Sequence, residues 1–312
     1  MSECYQTRYI YGEALLEAGG RYANVVALDA DLYTSTRTVL FRDAFPDRFV
    51  DMGIAEMDMM STAAGLASCD MVPFVNSFAM FLTAHCYDQL RIQICYPRLH
   101  VVLAGSSAGL TQGPDGASHQ SLEDIALMRA LPNMTVLVPA DAIETRAMTL
   151  AAAGELDGPI YLRLGRYPVP NVHGADYRFA LGKAIRLREG VDVTLLACGH
   201  MVSAAMGAAQ ALEGEGIAAS VVNMSTIKPL DAETVYRATR QSKLVVTVEE
   251  HSIIGGLGGA VAEVMADAGA GVPLLRLGTP DVFGESATAD ELLNKHGLTP
   301  TGICRSVLQA LG

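Results

Sequence analysis

None of the six cysteines (Cys4, Cys69, Cys86, Cys95, Cys198 and Cys304) stands at the short spacing a zinc site uses. Scattered in this way, they read as reduced, mostly buried small hydrophobes. No uninterrupted apolar run approaches the roughly 18 residues of a membrane-spanning helix, so no membrane segment is expected. The first residues include Glu3 and Glu13 and no basic stretch ahead of an apolar core. No secretory signal is therefore expected, and a cytoplasmic location is. Basic residues are scarce: 22 Lys and Arg face 34 Asp and Glu, for a net charge of −12. That balance argues against nucleic acid or an anionic membrane as a partner. It also means that an anionic substrate must be met by a local basic cluster. Internal repeats and low-complexity segments are lacking too. The glycines of Gly255-Gly256-Leu257-Gly258-Gly259 miss the spacing of a dinucleotide fingerprint and read instead as close helix–sheet packing.

Apolar material is plentiful. The 312 residues are 50% hydrophobic, with a mean hydropathy of +0.27, enough for about two domains. Strand-like and helix-like segments alternate, which implies parallel sheets with crossover helices. Strands are expected over residues 24–29, 48–52, 71–75, 100–104, 134–138 and 160–164, and helices over 11–18, 57–69, 83–95, 122–130 and 142–153. The pattern then breaks at 166–176, which holds two prolines and no periodicity and reads as a linker. A second unit follows, with strands at 193–197, 219–223, 244–248 and 273–277 and helices at 201–213, 232–241 and 258–268. The expected fold is α/β, with two parallel or mixed-sheet domains over residues 1–175 and 176–312. Glu249, Glu250 and His251 look catalytic at first sight. Neighbours on a strand face opposite ways, so the three cannot converge on one ion, and structural or subunit-contact roles are expected.

Glu56 is the most informative residue. It follows a strand-like segment in Val50-Asp51-Met52-Gly53-Ile54-Ala55-Glu56 and opens the apolar stretch Met57 to Cys69. A carboxyl there suffers desolvation and suits proton handling. An ordinary acid at a helix N-terminus is the plainer alternative. Further on, Ser77-Phe78-Ala79-Met80-Phe81 sets two aromatics three apart, on one face of a helical turn if the segment is helical. The loop Gly113-Pro114-Asp115-Gly116-Ala117-Ser118-His119-Gln120 adds an acid and an imidazole. These segments, in this order and together with Pro132 to Asp141, Ile227-Lys228-Pro229-Leu230-Asp231 and Val246 to Gly259, resemble the pyrimidine-binding and C-terminal domains of the transketolase family of thiamine-diphosphate enzymes. The resemblance covers nearly the whole chain.

The resemblance implies a role for each matching position. Glu56 matches the carboxyl that hydrogen-bonds the pyrimidine ring nitrogen and so promotes loss of a proton from the thiazolium carbon; the organic chemistry is the cofactor's own. Phe78 and Phe81 match the aromatic wall on which the pyrimidine stacks. Asp115 and His119 match the pair that contacts sugar hydroxyls near the reacting carbon. Arg166, Arg8 and Ser35 match contacts to the sugar phosphate, where guanidinium forks suit a tetrahedral anion. The chain departs from the family in two places. Small residues at Gly105-Ser106-Ser107 replace a histidine that contacts the phosphate, and Ala84 replaces an aromatic that extends the pyrimidine wall.

The family also anchors its diphosphate through Mg2+ with a Gly-Asp-Gly motif and a later Asn, in a domain that precedes this one. No Gly-Asp-Gly occurs in the chain. The expectation is therefore the C-terminal subunit of a split transketolase, moving a two-carbon ketol unit between sugar phosphates. It would work with a separate diphosphate-binding subunit that holds the Mg2+, in an α2β2 heterotetramer. Alternatives are the β subunit of a 2-oxo-acid dehydrogenase, a relative of deoxyxylulose-phosphate synthase, and a non-catalytic binding or regulatory protein on the same fold.

Overall fold

The computed structural model describes residues 3–312 and divides into two compact units. The first comprises the residues up to Ala108 together with Leu127–Phe179; the second comprises Gly109–Ala126 and Ala180–Gly312.

In the first unit, β1 (Cys4–Gln6) leads directly into a helix over Thr7–Arg21. Six parallel strands follow: β2 (Val25–Asp29), β3 (Phe49–Asp51), β4 (Val72–Phe78), β5 (Val102–Ser106), β6 (Thr135–Leu137) and β7 (Ile160–Arg163). They lie in the order β6-β7-β5-β4-β2-β3, every pair parallel. Strands such as Val25–Asp29 and Ile160–Arg163 are buried along their length. Burial on both faces is why they read as continuous apolar runs rather than alternating ones. Tyr11, Leu15 and Ala18 of the first helix and Met148 and Ala152 of helix Ala142–Gly154 pack with Val25, Ala27, Phe74, Val102 and Ile160 of the sheet to form one core.

The chain leaves β2 toward β3 on one side and leaves β4 toward β5 on the other, so the strand order reverses between β2 and β4. Open parallel sheets bind ligands in the crevice outside the carboxyl ends of the strands at such a reversal.

The first unit departs from the sequence expectation at the segment 166–176 and at the helix expected over 83–95. The segment 166–176 is not wholly linker, because β8 (Pro168–Pro170) forms within it and pairs antiparallel with β1, Gln6 opposite Pro168. Neither Cys-Tyr-Gln nor Pro-Val-Pro carries a periodic signal. The helix expected over 83–95 is wound as two π-helical stretches, Phe81–His85 and Leu90–Cys95, around a short α-turn over Tyr87–Gln89.

The second unit holds β9 (Ile185–Arg188), β10 (Val193–Ala197), β11 (Ala219–Asn223), a short β12 (Thr226–Lys228), β13 (Leu244–Ser252) and β14 (Leu274–Thr279). Its sheet runs β14-β13-β10-β11-β9, parallel except for the edge strand β9. The sequence reading missed β9, whose Ile-Arg-Leu-Arg pattern is that of a half-exposed edge, and two C-terminal helices, Ala289–Lys295 and Pro300–Leu311. The first of these opens on a capping box between Thr288 and Glu291.

The acid-rich triplet on β13 divides between the two faces of its strand. The Glu249 carboxylate accepts the backbone N–H groups of Leu257 and Gly258, both at 2.7 Å, and so caps the helix Leu257–Asp267. His251, on the same face, accepts from the Ala126 N–H at Nε2 (3.3 Å) and is 2.7 Å from the Ser252 carbonyl at Nδ1, which fits a neutral ring protonated at Nδ1. Glu250 points the other way. It receives the Thr111 N–H and lies 3.2 Å from His200 Nδ1. A Cβ on Gly109 would fall 2.3 Å from the Glu250 carboxyl carbon, and the backbone there has φ +86°. Only glycine fits both demands.

Candidate active site

The polar residues of the first unit gather just past the carboxyl ends of its strands. Glu56 opens the helix Glu56–Ala67 after β3 and is 6% exposed. Its Oε1 accepts the hydroxyl of Ser77, on the neighbouring β4, at 3.1 Å. No cation bonds it among the described residues, and Met59 and Met60, one turn on in the same helix, and Cys86, which feels its charge, are all fully buried. The charge of Glu56, after burial itself, helps push the Cys86 thiol up to about 12. Cys86 is thus a packing residue and no nucleophile.

Phe78 is the last residue of β4 and Phe81 the first of the π-helical turn, so the two do not share a helical face as the spacing suggested. The rings nevertheless stack, 6.2 Å between centroids and 30° between planes. Both stay partly accessible, which leaves an apolar face that begins at the residue after Ser77 in the chain. π-turns recur at functional sites because the extra residue re-aims side chains.

A second cluster forms around Arg8, Ser35 and Arg166. The pairing of β1 with β8 ends with Gln6 opposite Pro168, and the helix that follows brings Arg8 close enough to Arg166 to feel its charge. Thr7 fastens the same corner: its hydroxyl accepts the Gly165 N–H at 2.7 Å, and the Arg8 N–H donates to the Gly165 carbonyl at 3.4 Å. The Arg8 guanidinium donates to the Ser35 carbonyl (3.2 Å) and to Gln6 Oε1 (2.9 Å). Its pKa is lowered, first by burial and then, against the influence of Tyr9, by the charges of Arg166 and Arg37. Three cations therefore share this corner of a chain whose net charge is −12.

Arg37 and Asp29 carry this arrangement too, and the sequence reading missed both. Asp29 ends β2, is fully buried, and accepts three hydrogen bonds, from Leu32 N–H (2.6 Å), Thr36 Oγ1 (2.7 Å) and Thr38 Oγ1 (2.8 Å). Burial pushes its pKa up to about 6 despite those donors. The one available sequence signal was an acid at a strand's carboxyl end followed by Thr-Arg-Thr.

In the second unit, Asp115 and His119 flank the turn at Gly116, which has φ +74°. Asp115 is exposed and accepts from the Gln112 amide at 2.5 Å; His119 is partly exposed, with Nδ1 3.0 Å from the Ser118 hydroxyl. Gln120 fastens the loop by donating to the carbonyls of Gly113 (2.9 Å) and Glu285 (2.8 Å).

Two family models match the chain, "Transketolase, pyrimidine binding domain" over residues 4–171 and "Transketolase, C-terminal domain" over residues 182–303. The chain belongs to the transketolase family. It is 44% identical to a putative transketolase C-terminal section of Methanocaldococcus jannaschii, over 96% of this chain and 95% of that protein. It is 42% identical to a 6-deoxy-6-sulfo-D-fructose transketolase subunit of a Clostridium species, over 96% of this chain and 92% of that protein. Among solved structures, a split-gene transketolase described as an inactive β4 tetramer superposes with a TM-score of 0.90 at 47% identity, covering 100% of this chain and 99% of that one. These relatives of matching length are themselves sections or subunits, and the chain is a transketolase-type enzyme subunit.

Membership implies dependence on thiamine diphosphate. The residues present fit its pyrimidine end, since a buried carboxyl adjoins a stacked, partly open aromatic pair. Among the described residues no group of three or more His, Cys, Asp or Glu side chains could hold a metal ion, and no helix is long and apolar enough to cross a membrane. Four of the six cysteines are buried.

Proposed function

We propose that this subunit transfers a two-carbon ketol unit from a ketose phosphate to an aldose phosphate, in an α2β2 complex with a separate subunit that binds the diphosphate and its Mg2+. The observation that carries the reading is the buried Glu56 carboxyl beside the Phe78–Phe81 pair, outside the carboxyl ends of β3 and β4. When bound, thiamine diphosphate supplies the carbon nucleophile that attacks the ketose carbonyl. Phe78 and Phe81 stack against its pyrimidine and exclude water. Glu56 holds a proton at the pyrimidine ring nitrogen, and its apolar surroundings strengthen that hydrogen bond. Arg8, Arg166 and Ser35 bind the distal phosphate, while Asp115 and His119 hold hydroxyls near the carbon that reacts.

The need for a partner is supported by the exposure of Ile54 (83%) and Met57 (45%) on either side of the buried acid. Apolar side chains flanking a proton-handling group are what a subunit contact covers. The chain has no Gly-Asp-Gly, consistent with diphosphate anchoring elsewhere. The Asp115–His119 loop favours polyhydroxylated sugars over 2-oxo acids, and a buried acid with an aromatic wall goes beyond what a non-catalytic module needs.

The decisive assay offers the complex a ketose phosphate with an aldose phosphate, the same pair without phosphate, and pyruvate with a lipoyl acceptor. Ketol transfer between the phosphorylated sugars is expected. His119→Ala should chiefly lower kcat, whereas Arg166→Ala should chiefly raise KM by removing uniform binding, on the order of 2 kcal/mol for a hydrogen bond to a charged group. Activity confined to pyruvate would overturn the ketol-transfer reading.

A further inference from the structure

Arg37 is held in place by three independent contacts. It adopts a left-handed backbone, φ 70°, which a non-glycine residue takes only at a cost that the surroundings must offset. Thr36 and Thr38, on either side, both donate to Asp29 Oδ2 and so fasten the chain before and after it. The helix that bears Arg8 closes the third side. A Cβ on Gly12, one turn beyond Arg8, would fall 2.6 Å from Arg37 Cβ and 2.8 Å from its carbonyl oxygen, so glycine there lets the helix rest on this residue.

The guanidinium so placed is underused. Its plane lies over one aromatic ring, Tyr9, 4.7 Å from the centroid, and Arg8 approaches the same ring at 5.0 Å. Arg37 Nε is buried without a hydrogen-bond partner among the described residues. A buried donor left unmade has lost its hydration without compensation. Charge repulsion adds to the cost, since Arg37 and Arg166 both disfavour the charged form of Arg8. In a chain with carboxylates in excess, acidic side chains could have neutralised this corner, and among the described residues none is paired to Arg8 or Arg37. An unmet donor and mutual repulsion are both relieved by one thing, a multiply charged anion with oxygens on several sides.

We infer that Arg37 is a specificity-determining group that joins Arg8, Ser35 and Arg166 in binding a phosphate dianion at the distal end of the substrate, with Asp29 as the residue that positions it. The inference rests on the proposed role of Arg8, Ser35 and Arg166. A third fixed cation favours the dianion over a singly charged sulfonate and over an uncharged hydroxymethyl end, because Coulomb attraction scales with ligand charge.

The test measures kcat/KM of the reconstituted complex for phosphorylated and unphosphorylated forms of one aldose, and takes their ratio. Arg37→Gly suits the test because glycine accepts the left-handed backbone, so a loss reports the side chain and not the loop. Arg37→Lys keeps the charge without the fork, and Arg166→Ala serves as the reference. The ratio should fall on the order of 10- to 100-fold in Arg37→Gly and be partly restored in Arg37→Lys, and competitive inhibition by inorganic phosphate should weaken in parallel. If Arg166→Ala lowers the ratio and Arg37→Gly leaves it unchanged, the role of Arg37 is refuted while the anion site stands. If neither variant changes the ratio, the anion site itself is refuted and the inference falls with it. A sulfonate analogue used as well as the phosphate would overturn the dianion preference.

Discussion

Glu56→Gln separates proton handling from helix capping. The substitution preserves volume and keeps an oxygen that can accept the Ser77 hydroxyl, 3.1 Å away in the parent. What it removes is an acid that is 6% exposed at the first position of the helix Glu56–Ala67. A carboxylate at a helix N-terminus contributes about 0.3–1 kcal/mol through the dipole. The variant should therefore unfold within about 1 kcal/mol of the parent. Its chemistry should suffer far more: a positioned acid–base group is worth about 10²–10⁴ in rate, or about 3–5 kcal/mol of barrier. Deuterium exchange at the thiazolium carbon, followed by NMR in the reconstituted complex, measures that step apart from substrate binding. An exchange rate within threefold of the parent, with the small stability loss intact, would make Glu56 a helix-start acid and nothing more.

Two other predictions concern buried pairs. Asp141 Oδ2 accepts from the backbone of Val172 (2.8 Å) and His173 (2.9 Å) and lies 2.9 Å from His173 Nδ1. Burial opposes the shift at both groups, yet their hydrogen bond and neighbouring charges lower the Asp141 pKa from 3.8 and raise that of His173 from 6.5. The aspartate's contribution is present above its unfolded value and lost as pH falls through the lower folded one. The histidine's is full below its unfolded value and lost as pH rises through the higher folded one. The stability gap between parent and His173→Gln, read from urea midpoints, should accordingly be widest between about pH 4 and 6.5 and shrink above neutrality; a gap independent of pH contradicts the pairing. Glu249→Ala should leave the N–H groups of Leu257 and Gly258 unmet and weaken the helix Leu257–Asp267 by about 2 kcal/mol, so amide exchange in that helix should quicken on the order of 30-fold; unchanged protection would refute the capping role.

The central strands were readable because burial on both faces leaves unbroken Val- and Leu-rich runs, as in Val193–Ala197, where the expected and observed limits coincide. Glu249, Glu250 and His251 were readable for a related reason, since extended backbone forces alternate residues apart. Long-range pairing was not readable. The short β1 and β8 hold no periodic pattern, yet their pairing ties the start of the helix that bears Arg8 to the segment just after Arg166. Arg37 carries no signal of its own in the sequence, and only the fold brings Asp29, Gly12 and Tyr9 around it. The Phe78–Phe81 contact was anticipated, but on a helical turn; a strand end and a π-turn bring the rings together instead.

The central claim is that half of a thiamine-diphosphate site resides on this chain. Calorimetry of thiamine diphosphate with Mg2+, run on the chain alone and again with a diphosphate-binding transketolase subunit present, tests it most directly. The account predicts no measurable binding to the chain alone and tight, Mg2+-dependent binding to the complex that weakens when Phe78 and Phe81 are replaced by alanine. Micromolar, Mg2+-dependent binding by this chain without any partner would contradict it.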